Sequence, residues 1–89
     1  MRLVLVTAPN CHGCELLKRY LLSKGVEFET LDVSNFDALK RFRERYGASI
    51  MSVPMLFWVE DSRIVYGLSG WRGPRATDEF LALGKEGEP

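Results

Sequence analysis

The sequence predicts an α/β domain with elements in the order β-α-β-α-β-β-α, a four-stranded mixed sheet flanked by three helices. Three observations carry that prediction. The run Leu3-Val4-Leu5-Val6-Thr7 is apolar on both faces, as a central strand covered on both sides must be. Two stretches, Cys11 to about Lys24 and Phe36 to Tyr46, repeat their apolar residues at helical spacing. Finally, Met55–Val59 and Arg63–Tyr66 are separated only by Glu60-Asp61-Ser62, which makes them an antiparallel hairpin.

Taken in order, the first strand is closed by Ala8-Pro9-Asn10. The first helix turns Leu17, Tyr20, Leu21 and Lys24 to one side, with Leu16 and Leu22 widening the stripe and Gly25 as its stop. Val26–Leu31 alternates as a half-buried strand that Asp32 or Ser34 ends. Ser34 with Asp37 resembles a capping box and opens the second helix, whose expected inner face is Phe36, Leu39, Phe42 and Tyr46. Gly47 ends it. Phe57 and Trp58 alternate on the third strand and are expected in the core. The last helix starts at Gly73-Pro74, since proline suits the first helical position, and turns Ala76, Phe80 and Leu83 inward. Gly84 to Pro89 is expected to fray, with 85–89 as a tail.

At 89 residues the chain is one domain, 1–89, too short for a second core. Its 12 basic residues balance 12 acidic ones, so neither a polyanion-coating role nor nucleic acid as a partner is expected. The apolar N-terminal run is too short for a signal h-region or a membrane span. The expectation is a cytoplasmic monomer without a membrane partner. In a reducing cytosol a close cysteine pair is catalytic or metal-binding rather than a permanent staple.

That pair is Cys11-His12-Gly13-Cys14, which contains both cysteines and the single histidine. Two intervening residues allow a small disulfide ring when the first Cys caps a helix and the second lies in its first turn. The thiolate is the reactive form, and a helix N-terminus favours it through unpaired N–H groups and the positive end of the dipole. Cys11 is therefore the expected attacking thiol and Cys14 the resolving one. Gly13 leaves room beside the sulfurs for a partner's backbone. His12 reads as an exposed motif residue at the substrate side of the pair, with tuning of the reduction potential as its functional alternative. The competing reading is a soft-metal carrier holding copper or zinc, although a structural zinc needs four ligands and only two thiols and one awkward His12 are on offer. Val53-Pro54 must lie at a strand start or in a cis turn, because proline has no N–H for a sheet.

The strand-Cys-x-x-Cys-helix opening, the stretch Tyr46-Gly47-Ala48-Ser49-Ile50-Met51-Ser52-Val53-Pro54 and the hairpin after it resemble the thioredoxin superfamily in its short glutaredoxin-like form, over residues 1–84. The resemblance implies a thiol-disulfide oxidoreductase working through a Cys11–Cys14 dithiol/disulfide on protein substrates, with no bound cofactor. It implies a cis Pro54 facing the cysteines and a main-chain contact from Val53 to an extended substrate. Typical glutaredoxins carry a lysine where this chain has Ala8, and an acidic segment where it has Ser69-Gly70-Trp71-Arg72-Gly73-Pro74. That segment instead resembles the glutaredoxin-like electron donors of ribonucleotide reductase. It places Gly70 and Trp71 in the substrate groove, with Trp71 also readable as core, and points to a thioredoxin-reductase-like flavoenzyme ahead of glutathione as reductant. Ribonucleotide reductase is a candidate partner on the same basis. Lys40, Arg41, Arg43 and Arg45 read as a solvated helix face, with docking to an acidic partner as the functional alternative.

Overall fold

The structure is a computed structural model that describes residues 1–86. The predicted order of elements is present: β1 (Arg2–Thr7), α1 (His12–Ser23), β2 (Glu29–Asp32), α2 (Phe36–Tyr46), β3 (Met55–Glu60), β4 (Arg63–Ser69) and α3 (Gly73–Glu86). The strands form one mixed sheet in the order β2-β1-β3-β4. β1 pairs parallel with β2, and β3 pairs antiparallel with both β1 and β4.

The period-two alternation of β1 explains how both faces are covered. Leu3 and Leu5 enter one core cluster with Leu17 and Leu21 of α1, Leu56 of β3, and Phe80 and Leu81 of α3. Val4 and Val6 enter the other, with Leu31, Phe42 of α2, Phe57 and Val59. Helices α1 and α3 therefore lie on one face and α2 on the other. Leu5, Leu17, Leu21 and Leu56 are completely buried, each contributing about 1.5–3 kcal/mol of transfer free energy. Thr77, the buried polar residue of α3, donates its hydroxyl to the Gly73 carbonyl at 2.9 Å and so leaves no unpaired group.

Several boundaries differ from the sequence reading, each for a local reason. β2 starts at Glu29, the residue paired with Val4; Val26 and Phe28 have no ladder partner and pack half-buried against the first cluster instead. Ser34 does not cap α2. Its N–H and hydroxyl both donate to Asp32, at 2.8 and 2.7 Å, while Asn35 Oδ1 accepts the Ala38 N–H at 3.1 Å as the actual cap. The helix spans Phe36–Tyr46 as expected, but Phe36, in its first turn, is 78% exposed rather than on the inner face. Leu22 is also exposed, because Leu17 and Leu21 already fill the α1 stripe. β4 continues past Tyr66 to Ser69, which pairs with Met55.

α3 does not stop at Leu83 but runs through Gly84 to Glu86. Residues 87–89 of the expected tail lie outside the described residues. Gly84 is buried beneath Trp58, and a Cβ there would overlap the six-membered ring of the indole. The same Trp58 donates Nε1–H to the Phe80 carbonyl at 2.8 Å and stacks on the Phe80 ring. Gly47 has the role expected of it: at φ 66° it forms a left-handed cap and returns its N–H to the Arg43 carbonyl.

Candidate active site

The end of β1 delivers the chain to α1 through Pro9 and Asn10, which adopts φ 58°, a conformation asparagine tolerates better than most side chains. Cys11 is then the N-cap, extended at φ −106°, ψ 107°. Its Sγ accepts the Cys14 N–H at 3.2 Å and its carbonyl accepts the Glu15 N–H at 3.2 Å. Cys11 and Cys14 form a disulfide with their Cα atoms 5.2 Å apart, a usual span for a bridged pair. The two sulfurs are not equivalent: Cys14 is 2% exposed, whereas Cys11 remains partly open to solvent. His12 is exposed on the ring between them.

Val53-Pro54 is cis. It precedes β3, where no ladder N–H is demanded of the proline. The Pro54 carbonyl accepts the Gly70 N–H at 2.8 Å, one step beyond the Met55–Ser69 pair, so the Gly70-Trp71 turn is fastened to the Pro54 loop. Gly70 has φ 81°, in the region that favours glycine. A Cβ on Gly13 would lie 3.4 Å from Pro54 Cδ and 3.8 Å from Trp71 Cβ. Gly13, Pro54, Gly70 and Trp71 therefore meet beside the disulfide ring. Val53 is half-buried against the second core cluster.

Trp71 agrees with the core reading and also stands next to the cysteine ring. It packs half-buried against the first core cluster while its backbone side approaches Gly13. Its ring also meets Tyr20, with centroids 5.7 Å apart. The Tyr20 hydroxyl donates to Asp78 Oδ1 at 2.7 Å, and Lys24 Nζ lies 3.6 Å from the same carboxylate. The Asp78 hydrogen bond holds the Tyr20 phenol above its ordinary pKa; the bond to Tyr20, followed by the charge on Asp78, does the same for Lys24. This α1–α3 link escapes the sequence because Asp78 lies 58 positions from Tyr20. Ser52 and Ser69, whose hydroxyls are 3.3 Å apart, form another unanticipated link, between the residue before Val53 and the one before Gly70. Arg72 is exposed and donates Nε–H back to the Ser69 carbonyl at 2.9 Å.

Among the described residues, no group of three or more His, Cys, Asp or Glu is placed to hold a metal ion, and no helix is long and apolar enough to cross a membrane.

Comparison with known proteins agrees with this geometry at the level of family and fold. The glutaredoxin family model matches residues 3–64, from β1 through the cysteine pair and Pro54 into β4. The SPbeta prophage-derived thioredoxin-like protein YosR of Bacillus subtilis (strain 168) is 31% identical over 81 residues, covering 91% of this chain and 95% of that one. The crystal structure of thioredoxin f from spinach chloroplast superposes with a TM-score of 0.65 at 19% identity, over 94% of this chain and 72% of that one. Thioredoxin from Aeropyrum pernix does so with a TM-score of 0.61 at 20% identity, over 92% and 72%. With a helix-capping Cys11 bridged to a buried Cys14 on a thioredoxin-like fold, and with a family match across most of its length, the chain belongs to the glutaredoxin family, whose chemistry is of the thiol-disulfide oxidoreductase type.

Proposed function

We propose that this protein reduces protein disulfides as a dithiol electron carrier, with Cys11 as nucleophile and Cys14 as resolving thiol. The observation that carries the reading is the asymmetry of the pair. Cys11 Sγ sits at the N-cap, faces the Cys14 N–H and stays partly exposed, while Cys14 is buried.

In the reduced protein, N–H groups of the first helical turn and the positive end of its dipole favour the anion on Cys11. The Cys11 thiolate attacks one sulfur of the target disulfide, forming a mixed disulfide and releasing the other target sulfur as a thiolate that takes up a proton. Cys14 then gives up its proton and attacks Cys11 Sγ, which forms the internal disulfide and expels the second target thiolate. Two electrons pass to the target in all. With the two cysteines three residues apart, the second step is intramolecular and outruns escape of the intermediate.

Val53, Pro54, Gly13, Gly70 and Trp71 make up the groove in this reading: Val53 offers main-chain pairing and Gly13 leaves clearance above Pro54. His12 lies at its solvent edge. No bound cofactor takes part. The oxidised pair is recharged by a thioredoxin-reductase-like flavoenzyme in preference to glutathione, ribonucleotide reductase is a candidate client, and the setting is cytoplasmic.

The test uses a protein disulfide such as insulin. Cys14→Ser should accumulate a mixed disulfide visible on a non-reducing gel, and Cys11→Ser should form none. If Cys11→Ser traps the client instead, or alkylation of the reduced protein at neutral pH modifies Cys14 first, the assignment of the two roles is wrong.

A further inference from the structure

The opposite end of the molecule carries a feature that the redox chemistry does not use. β1 runs from Arg2 toward the cysteines, so its start lies about 17 Å from its end, at roughly 3.3 Å per residue. Beside that start is a hollow of about 380 Å³ between α2 and the β2 edge. Its floor is apolar, formed by Val4, Leu31 and Phe42, and Arg2, Arg41 and Arg45 stand around it with Glu29 as the sole acidic lining residue.

The three arginines are held differently. Arg2 pairs with Glu29 at 3.4 Å and donates to the Tyr46 hydroxyl. Arg45 donates Nε–H to the Asp61 carbonyl at 3.3 Å and lies over the Tyr46 ring. Among the described residues, neither Arg41 nor Arg45 has a carboxylate within 4.0 Å. An uncompensated positive wall over an apolar floor is complementary to a carboxylate next to an apolar group.

The neighbouring strand edge separates a chain segment from a compact anion. β2 pairs only with β1, so its outer edge has unpaired backbone groups beside the hollow that Glu29, Thr30 and Leu31 help to line. Charge, an apolar floor and a free strand edge together fit an extended polypeptide.

We propose that the flank between α2 and the β2 edge is a docking site for an acidic, extended segment of a partner protein, remote from the disulfide. Binding there leaves the Cys11 end open, and the proposal stands whether or not the redox assignment above holds.

The probe is a fluorescein-labelled peptide alternating glutamate and leucine, with its glutamine counterpart as control, read by fluorescence anisotropy on the full chain. The glutamate peptide should bind saturably, and about tenfold more weakly to Arg41→Glu/Arg45→Glu. Arg41→Gln, at a side chain without an ion pair, should weaken binding about two- to fivefold, and it decides the matter if the double variant does not fold. Lys18→Glu, on exposed α1, should change nothing. Equal binding of the glutamine peptide, equal loss with Lys18→Glu, tighter binding of a single-stranded oligonucleotide, full competition by inorganic phosphate, or no saturable binding by the wild type would each overturn the proposal.

Discussion

Gly13 concentrates a conflict between stability and function in one missing side chain. In the first turn of α1, alanine is the better helix former by about 0.5–1 kcal/mol. A Cβ there would nevertheless stand 3.4 Å from Pro54 and 3.8 Å from Trp71, which is ordinary contact for the fold but removes clearance above the disulfide ring. Gly13→Ala should therefore unfold at higher denaturant while reducing insulin severalfold more slowly; unchanged turnover would show that the clearance is not used by substrate. Asp32 gives a residue-scale prediction of another kind. The Ser34 N–H, and then its hydroxyl, hold the Asp32 carboxyl below its ordinary value of 3.8. A depressed folded pKa contributes stability that is present above the unfolded value and lost as pH falls through the folded one. Asp32→Asn should thus be less stable than wild type at pH 7, with the gap closing as the pH drops below about 3.8. Unfolding curves at neutral pH and in acid measure both, and a gap that stays constant would remove the hydrogen bonds as its cause.

At the level of elements, the close fit of α3 to the sheet depends on Gly84. Overpacking a well-filled site costs about 1–3 kcal/mol, more than the helix propensity that alanine gains. Gly84→Ala should destabilise the protein, and by less in a Trp58→Phe background, where the ring that a Cβ would strike is smaller. A double-mutant cycle on urea unfolding checks this, with additive losses counting against the contact. Gly84 also shows where sequence reading stops. A glycine near the end of a helical pattern reads as a stop, and nothing local announces an indole from a strand 26 positions earlier. The strands and α1 were legible because periodicity reports burial directly, as Leu3 to Val6 and Leu17 with Leu21 do. The cap of α2 was not, although its start at Phe36 was, because Ser34 and Asn35 are both good caps and only Asp32, by taking the Ser34 hydroxyl, selects Asn35. At the site, the cysteine pair was legible from spacing and the cis Pro54 from resemblance, and Gly70 and Trp71 lie beside them. The Tyr20–Asp78 and Ser52–Ser69 links arise only from tertiary placement.

For the whole molecule, the proposed dithiol cycle requires a reductant that returns electrons to the Cys11–Cys14 disulfide. The disulfide end offers few formal charges for gripping a small charged thiol. Ala8 stands where typical glutaredoxins resemble one another in carrying lysine, and Ser69–Pro74 replaces their acidic segment. Arg72, the charged residue of that segment, directs Nε–H to the Ser69 carbonyl. The loss of one charge-assisted contact, about 1.5–3 kcal/mol, weakens binding by about one to two orders of magnitude. A protein reductant is less affected, because it can engage a larger surface, including exposed Met51 beside the Val53-Pro54 loop. The oxidised protein should therefore be reduced faster by NADPH with thioredoxin reductase than by glutathione at matched protein concentration. Ala8→Lys should raise the glutathione rate about tenfold while leaving the flavoenzyme rate within about twofold, if one charge is the missing element. Efficient turnover of the unaltered chain with glutathione alone would place it with the ordinary glutaredoxins in its reductant, whatever its end segment resembles. A slow wild-type rate that Ala8→Lys fails to raise would shift the cause from charge to the shape of the groove around Gly13 and Trp71.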